Sequence, residues 1–262
     1  MKRGLMLLSA VALCVGGIFT SLASADTIGF VPFTAVDAKD VIFAAAGNAG
    51  NAAQITAAFN QNGTQAFAPV DIALGAYGAG AVVTFNSIAG TVNCCNSPPA
   101  TPPDGDSGTS TNLSPVNGIS GIVAPTNMFL AGVFTNGNPA ALVAPASLNF
   151  TTLTESFASL SPAMNQTFFV GDGLTGSGSG SRQTFVIPSG ATDLWLGLPD
   201  GQGFNGPPSF YGDNSGSFTG QYAVTTPGSG AVPEPGSLSL LAIGLCGLGV
   251  VRRLRGKPNR SR

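Results

Sequence analysis

Residues 193–224 read DLWLGLPDGQGFNGPPSFYGDNSGSFTGQYAV. Leu194, Leu196 and Leu198 recur at every second position, and so do Phe218, Gly220, Tyr222 and Val224. An apolar residue at alternate positions marks a half-buried strand, because successive side chains point to opposite faces. Between the two alternating runs lie Gly, Pro, Asn and Asp, the residues that turns select for left-handed tolerance and local hydrogen bonding. The stretch therefore predicts two strands, over 193–198 and 216–224, joined by a polar loop.

The same reading extends outward. Val82–Phe85, Met128–Phe134, Gln166–Val170 and Arg182–Ile187 are short β-like runs separated by turn residues. Many short strands with turn signals between them predict an all-β fold, a β-sandwich, for residues 26–230. Ala44–Phe59 is the one helix-permissive stretch, weakened by Gly47 and Gly50. Two segments are expected as loops: Ser97–Gly108, with four prolines, and the glycine-rich Gly171–Ser181. The 37 glycines and 19 prolines in 262 residues fit a turn-rich chain.

Charge narrows the function. Only 8% of the residues are charged, against about 25% in ordinary domains. Between Asp26 and Ala231 the basic residues are Lys39 and Arg182, against eleven acids, a net charge of −9. Such a body is unsuited to neutralising phosphates, so no nucleic acid is expected as a partner. The chain has no histidine. That excludes Ser–His–Asp and Cys–His catalysis and every His-ligated metal site. Glu155, the only glutamate before the C-terminal segment, has no visible partner for two-carboxylate glycoside hydrolysis. The protein is expected not to be an enzyme.

The remaining bases sit at the two ends. Met1-Lys2-Arg3, an apolar run from Leu5 to Phe19 and Ala23-Ser24-Ala25 form a signal peptide over residues 1–25. At the other end Val232-Pro233-Glu234-Pro235-Gly236 precedes an apolar segment, 237–251, and the basic tail 252–262 with Arg252, Arg253 and Arg255. Prolines keep the approach extended, and the arginines place the tail on the cytoplasmic side. This three-part end resembles the PEP-CTERM sorting signal of Gram-negative bacteria. The resemblance implies an exosortase-type processing enzyme as partner and a single transmembrane helix that anchors the protein in the inner membrane only transiently. It also implies delivery to the cell surface or extracellular matrix, alongside exopolysaccharide.

Of the four cysteines, Cys14 lies in the leader and Cys246 in the apolar segment. Cys94 and Cys95 remain, adjacent in the chain. In an oxidising compartment they form a strained vicinal disulfide or bridge to other chains.

The loop of the opening stretch carries the candidate site. Asp200 closes the first strand, and Asp213 and Asn214 precede the second. Two carboxylates and an amide oxygen brought together would supply hard oxygen ligands suited to Ca²⁺; the same residues are also ordinary turn formers. Phe185-Val186-Ile187-Pro188, Leu194 to Asp200, and Tyr211 to Phe218 resemble the PA-IL-type calcium-dependent galactose-binding lectins, which are jelly-roll β-sandwiches. The resemblance implies a calcium ion held by Asp200, Asp213 and Asn214, with main-chain carbonyls near Phe210 and at Asn51 completing the shell. It implies a polysaccharide ligand at that ion, contacting Asp200 and Asp213, with Phe204 and Tyr211 placed to stack on a sugar. The chain departs from the lectins in a longer loop after Asp200 and in Asp213, which stands where they have Asn.

Overall fold

The computed structural model describes residues 26–226 apart from residues 28, 48–51, 60–64, 76, 78, 79, 138 and 141. Signal peptide, Pro-Glu-Pro motif, apolar segment 237–251 and basic tail lie outside the described residues, as does Asn51. Among the described residues no helix is long and apolar enough to cross a membrane.

The strands in chain order are β1 (Asp26–Thr27), β2 (Val31–Pro32), β3 (Val36–Asp37), β4 (Val70–Ala73), β5 (Val82–Asn93), β6 (Thr111–Leu113), β7 (Ile122–Ala124), β8 (Ala131–Thr135) and β9 (Leu148–Asn149). They continue as β10 (Ser159–Leu160), β11 (Thr167–Phe169), β12 (Leu174–Gly176), β13 (Ser179–Arg182), β14 (Thr184–Val186), β15 (Asp193–Gly197), β16 (Asn205–Gly206) and β17 (Ser215–Thr226). Two short helices, α1 (Ala52–Phe59) and α2 (Phe150–Leu153), interrupt them. The chain is therefore mostly β, as the alternation predicts.

Two sheets carry the core. One runs β1-β17-β5-β14-β10, with β2 and β3 also laid along β17. Its spine is the long antiparallel pair β5–β17, which registers Val83 on Val224 and Val92 on Gly216 and carries a bulge between Thr219 and Gln221. The other sheet runs β11-β8-β15-β4. Leu194 and Leu196 are fully buried on one face of β15, with Leu198 just beyond it, while Trp195 is half-buried on the other. Phenylalanines join the sheets: Phe85 meets Phe185 at 5.6 Å, Phe185 meets Phe168 at 5.2 Å, and Phe168 stacks on Phe134 at 5.2 Å. Burying each ring contributes about 1.5–3 kcal/mol and each ring pair about 0.5–1.5 more. A smaller sheet, β16-β6-β7-β9, and the ladder β12–β13 complete the described strands.

Local readings differ from the structure in three places. Gly171–Ser181 is not a structureless loop but holds the β12–β13 ladder. Asp172 organises it, accepting the Leu174 N–H at 2.8 Å and the Gly178 N–H at 2.6 Å, and Gly178 supplies a positive φ at the tip. The helix-permissive stretch is an α-helix only from Ala52. Ile42–Gly47 is a 3-10 segment, buried over its first four residues and broken at Ala45 and Ala46, where φ of Ala46 is 55°. The run 128–134 becomes a strand only at Ala131, because Met128 has φ 53°.

Candidate functional site

The site forms where three pieces of chain meet. β15 ends at Gly197, and Leu198 donates its N–H to the Asp40 carbonyl at 2.8 Å. Gly197 has no room for a side chain there, since a Cβ would lie 2.7 Å from that carbonyl. The third piece is the 3-10 turn Tyr211–Asp213, which leads into β17. Phe210 starts the turn in a left-handed conformation, φ 69°. The loop between is tied down rather than loose. Ser209 donates to the Asp200 carbonyl at 3.0 Å, and β16 pairs in parallel with β6.

Asp200 is 2% exposed. Its Oδ1 accepts the Gly201 N–H at 2.7 Å and its Oδ2 accepts the Asn214 Nδ2 at 2.9 Å. Burial pushes its carboxyl up to about 7; those two hydrogen bonds work against the rise, and the neighbouring charge of Asp213 adds to it. Among the described residues no basic group offsets the charge. Asn214 is 3% exposed and spends its amide hydrogens on the Ala38 carbonyl at 3.0 Å and on Asp200. Its Oδ1 is buried with no hydrogen-bond partner. Reversing the amide would set an oxygen against two acceptors, so the partners fix its orientation. Asp213 is half-buried, and its carbonyl accepts the Asn96 N–H at 3.0 Å.

The sequence-predicted residues divide here. Asp200 and Asn214 touch directly, Asp213 lies within electrostatic reach, and Phe210 adjoins the turn. Tyr211 needs correction as a stacking ring. It is fully buried, packs edge-on against Phe59 of α1 at 6.4 Å, donates its hydroxyl to the Leu198 carbonyl at 2.9 Å and accepts the Asp200 N–H at 3.0 Å. It pins Asp200 rather than facing outward. Phe204 is also buried, in the core cluster, which leaves it no free face for a sugar.

Oxygen chemistry fits a hard cation. An uncompensated buried carboxylate, a second carboxylate nearby and an orphaned amide oxygen are the donors Ca²⁺ selects. Among the described residues no three His, Cys, Asp or Glu side chains gather at metal-binding range. Such a site would therefore depend on Asn214 and on main-chain or water oxygens.

Other features were not visible in the sequence. Asp40 is buried, accepts the Asp37 N–H at its Oδ2, 2.8 Å away, and is raised by burial to about 7. Asp104, Asp106 and Glu155 line a cleft of about 590 Å³. Burial raises the Glu155 carboxyl, the Thr126 hydroxyl bond opposes the rise, and Asp104 adds to it. Spacing gave no signal for this pairing, because the two acids are far apart in the chain. Cys94 sits beside the first site. Burial pushes its thiol up to about 12, with contributions from Cys95, Asp200 and Asp213.

Residues 231–255 match the family model of the PEP-CTERM protein-sorting motif. No curated protein and no solved structure matches the chain. The likeness of residues 185–224 to galactose-binding lectins thus has no relative or solved fold behind it. The sorting motif implies an exported protein, processed by an exosortase and membrane-anchored before processing.

Proposed function

We propose that this exported chain is a non-catalytic structural protein of the cell surface or extracellular matrix, whose β-sandwich is stapled by calcium at Asp200, Asp213 and Asn214. The observation that carries the reading is the orphaned Asn214 Oδ1, buried beside a carboxylate that lacks any cationic partner. A bound cation would satisfy both at once. It would also fasten the end of β15 to the start of β17, and so fix the end of the sandwich. A staple of this kind does no chemistry; it makes the fold persist outside the cell.

A thermal melt of residues 26–231 in calcium and then in chelator tests it. A ligand at about 100 times its Kd adds about 2.7 kcal/mol, and a domain near this size gains about 2–4 °C per kcal/mol. Asp200→Asn keeps the shape and removes the charge, and should abolish the shift. No calcium shift in the parent chain, or an equal shift in the variant, overturns the reading.

A second reading rests on Phe210 and Asp213, both half-buried at the rim. In it the domain is a galactose-binding-like jelly roll, and the ion presents open positions to neighbouring hydroxyls of a polysaccharide such as the cell's own. Calcium-dependent retention on a glycan array, lost in Asp213→Ala, would favour it over the staple alone.

A further inference from the structure

We propose that Cys94 and Cys95 close into a vicinal disulfide in the exported protein, and that this bond latches the turn holding Asp213. The two sulfurs lie 2.6 Å apart, where a disulfide bond is about 2.05 Å. Cys95 is exposed and Cys94 half-buried, so an oxidant can reach the pair. No other cysteine lies among the described residues, and the sorting motif takes the chain into compartments where disulfides persist.

The turn is already built around the pair. Cys95 and Asn96 both have left-handed backbones, φ 65° and 58°; Asn visits that region readily, whereas for Cys it is costly and needs the surrounding turn to hold it. Asn93 holds it from one side, accepting the Cys94 N–H at 2.8 Å and donating to the Pro98 carbonyl at 2.7 Å. From the other side Asn96 donates to the Asp213 carbonyl at 3.0 Å, and the Ser215 hydroxyl donates to the Ser97 carbonyl at 3.1 Å. A covalent ring within this turn removes alternatives that would release Asp213. Adjacent residues sit about 3.8 Å apart at Cα, closer than the usual 4.4–6.8 Å for bridged cysteines. The ring is therefore strained and easily reduced, which makes it a latch rather than a permanent cross-link.

The oxidant is a dithiol oxidase carrying an exchangeable disulfide. The exposed Cys95 thiolate attacks one acceptor sulfur, breaking the acceptor's disulfide and forming a mixed disulfide. Cys94 then attacks the Cys95 sulfur and expels the acceptor. Two thiols lose two electrons and two protons, and the acceptor leaves as a dithiol.

The test uses the full chain purified from its cell envelope, with free thiols trapped by a maleimide under denaturing conditions. The peptide containing residues 94 and 95 should carry no label, be two hydrogens lighter than the dithiol, and take two labels after reduction. Labelling without prior reduction, or a chain-to-chain disulfide at these positions, overturns the bond. Hydrogen exchange at the Asn96 amide should become several-fold faster on reduction. A Cys94→Ser, Cys95→Ser double variant should behave like the reduced chain under both conditions. Equal exchange in the oxidised and reduced parent overturns the latch. Neither measurement involves calcium, so the outcome stands apart from the staple reading.

Discussion

Tyr211 shows how one hydroxyl can organise a site. The residue stands in a Gly-Asp-Asn turn, where composition suggests an outward ring. Instead the ring is buried and its oxygen bridges the Leu198 carbonyl and the Asp200 N–H. Tyr211→Phe keeps the packing, leaves the Asp200 N–H buried without its partner, and leaves the Leu198 carbonyl with only the longer bond from the Ile42 N–H at 3.4 Å. An unsatisfied buried polar group costs about 1–3 kcal/mol, so urea denaturation should show a lower midpoint at unchanged slope. An unchanged midpoint would mean that water replaces the hydroxyl. Asp200, Asp213 and Asn214 were legible because turn residues flanking two alternating strands must come close. The orphaned Asn214 oxygen was not legible, because what turns it away from other donors is the bond of the Asn214 amide N–H to the Ala38 carbonyl, which is distant in sequence.

At the scale of elements, β17 and β5 act as one unit. Gly216 is one narrow point of the pair, and Gly90 facing Ser217 is another. The φ of Gly216 is +93°, and a Cβ there would lie 2.2 Å from the Thr91 carbonyl. Gly216→Ala should cost about 1–3 kcal/mol, seen as a lower melting temperature. Because Asn214 lies two residues away, the variant should also blunt the calcium shift. A variant that melts with the parent would show that the strands part without penalty. Period-two alternation found β15 because that strand buries one face; in β17 the bulge between Thr219 and Gln221 breaks the period, so Tyr222 is half-buried while the adjacent Ala223 and Val224 are both buried. Alternation missed the β12–β13 ladder, whose residues, mostly Gly, Ser and Thr, are half-buried in β12 and exposed in β13 and leave no hydrophobic period. There the main chain is held by the Asp172 carboxylate instead.

For the molecule as a whole, buried carboxylates set the pH response. Asp40 and Asp200 ordinarily titrate at 3.8, and burial lifts both to about 7 in the folded chain. Glu155 and Asp172 are raised by the same cause. The folded state thus holds protons that the unfolded state has released. The contribution of these groups is fully present below about pH 4 and is lost as pH rises through about 7. In chelator, the melting temperature should fall between pH 5 and pH 8. Calcium compensates the Asp200 charge, so the gap between calcium and chelator should widen over the same interval. A gap that narrows would place the ion elsewhere.

The sequence by itself determined export and the class of fold. A sorting signal works as a linear string, and half-buried strands carry their period locally, so both can be read without coordinates. The tertiary structure alone decided which polar groups lost their water. Asp200 and Asp213 read equally as turn residues and as oxygen donors until β15, residues 38–40 and the Tyr211–Asp213 turn converge. Only then does burial leave one carboxylate uncompensated and one amide oxygen unpartnered. Desolvation depends on what covers a group in three dimensions, and the residues that cover these come from parts of the chain more than a hundred positions apart.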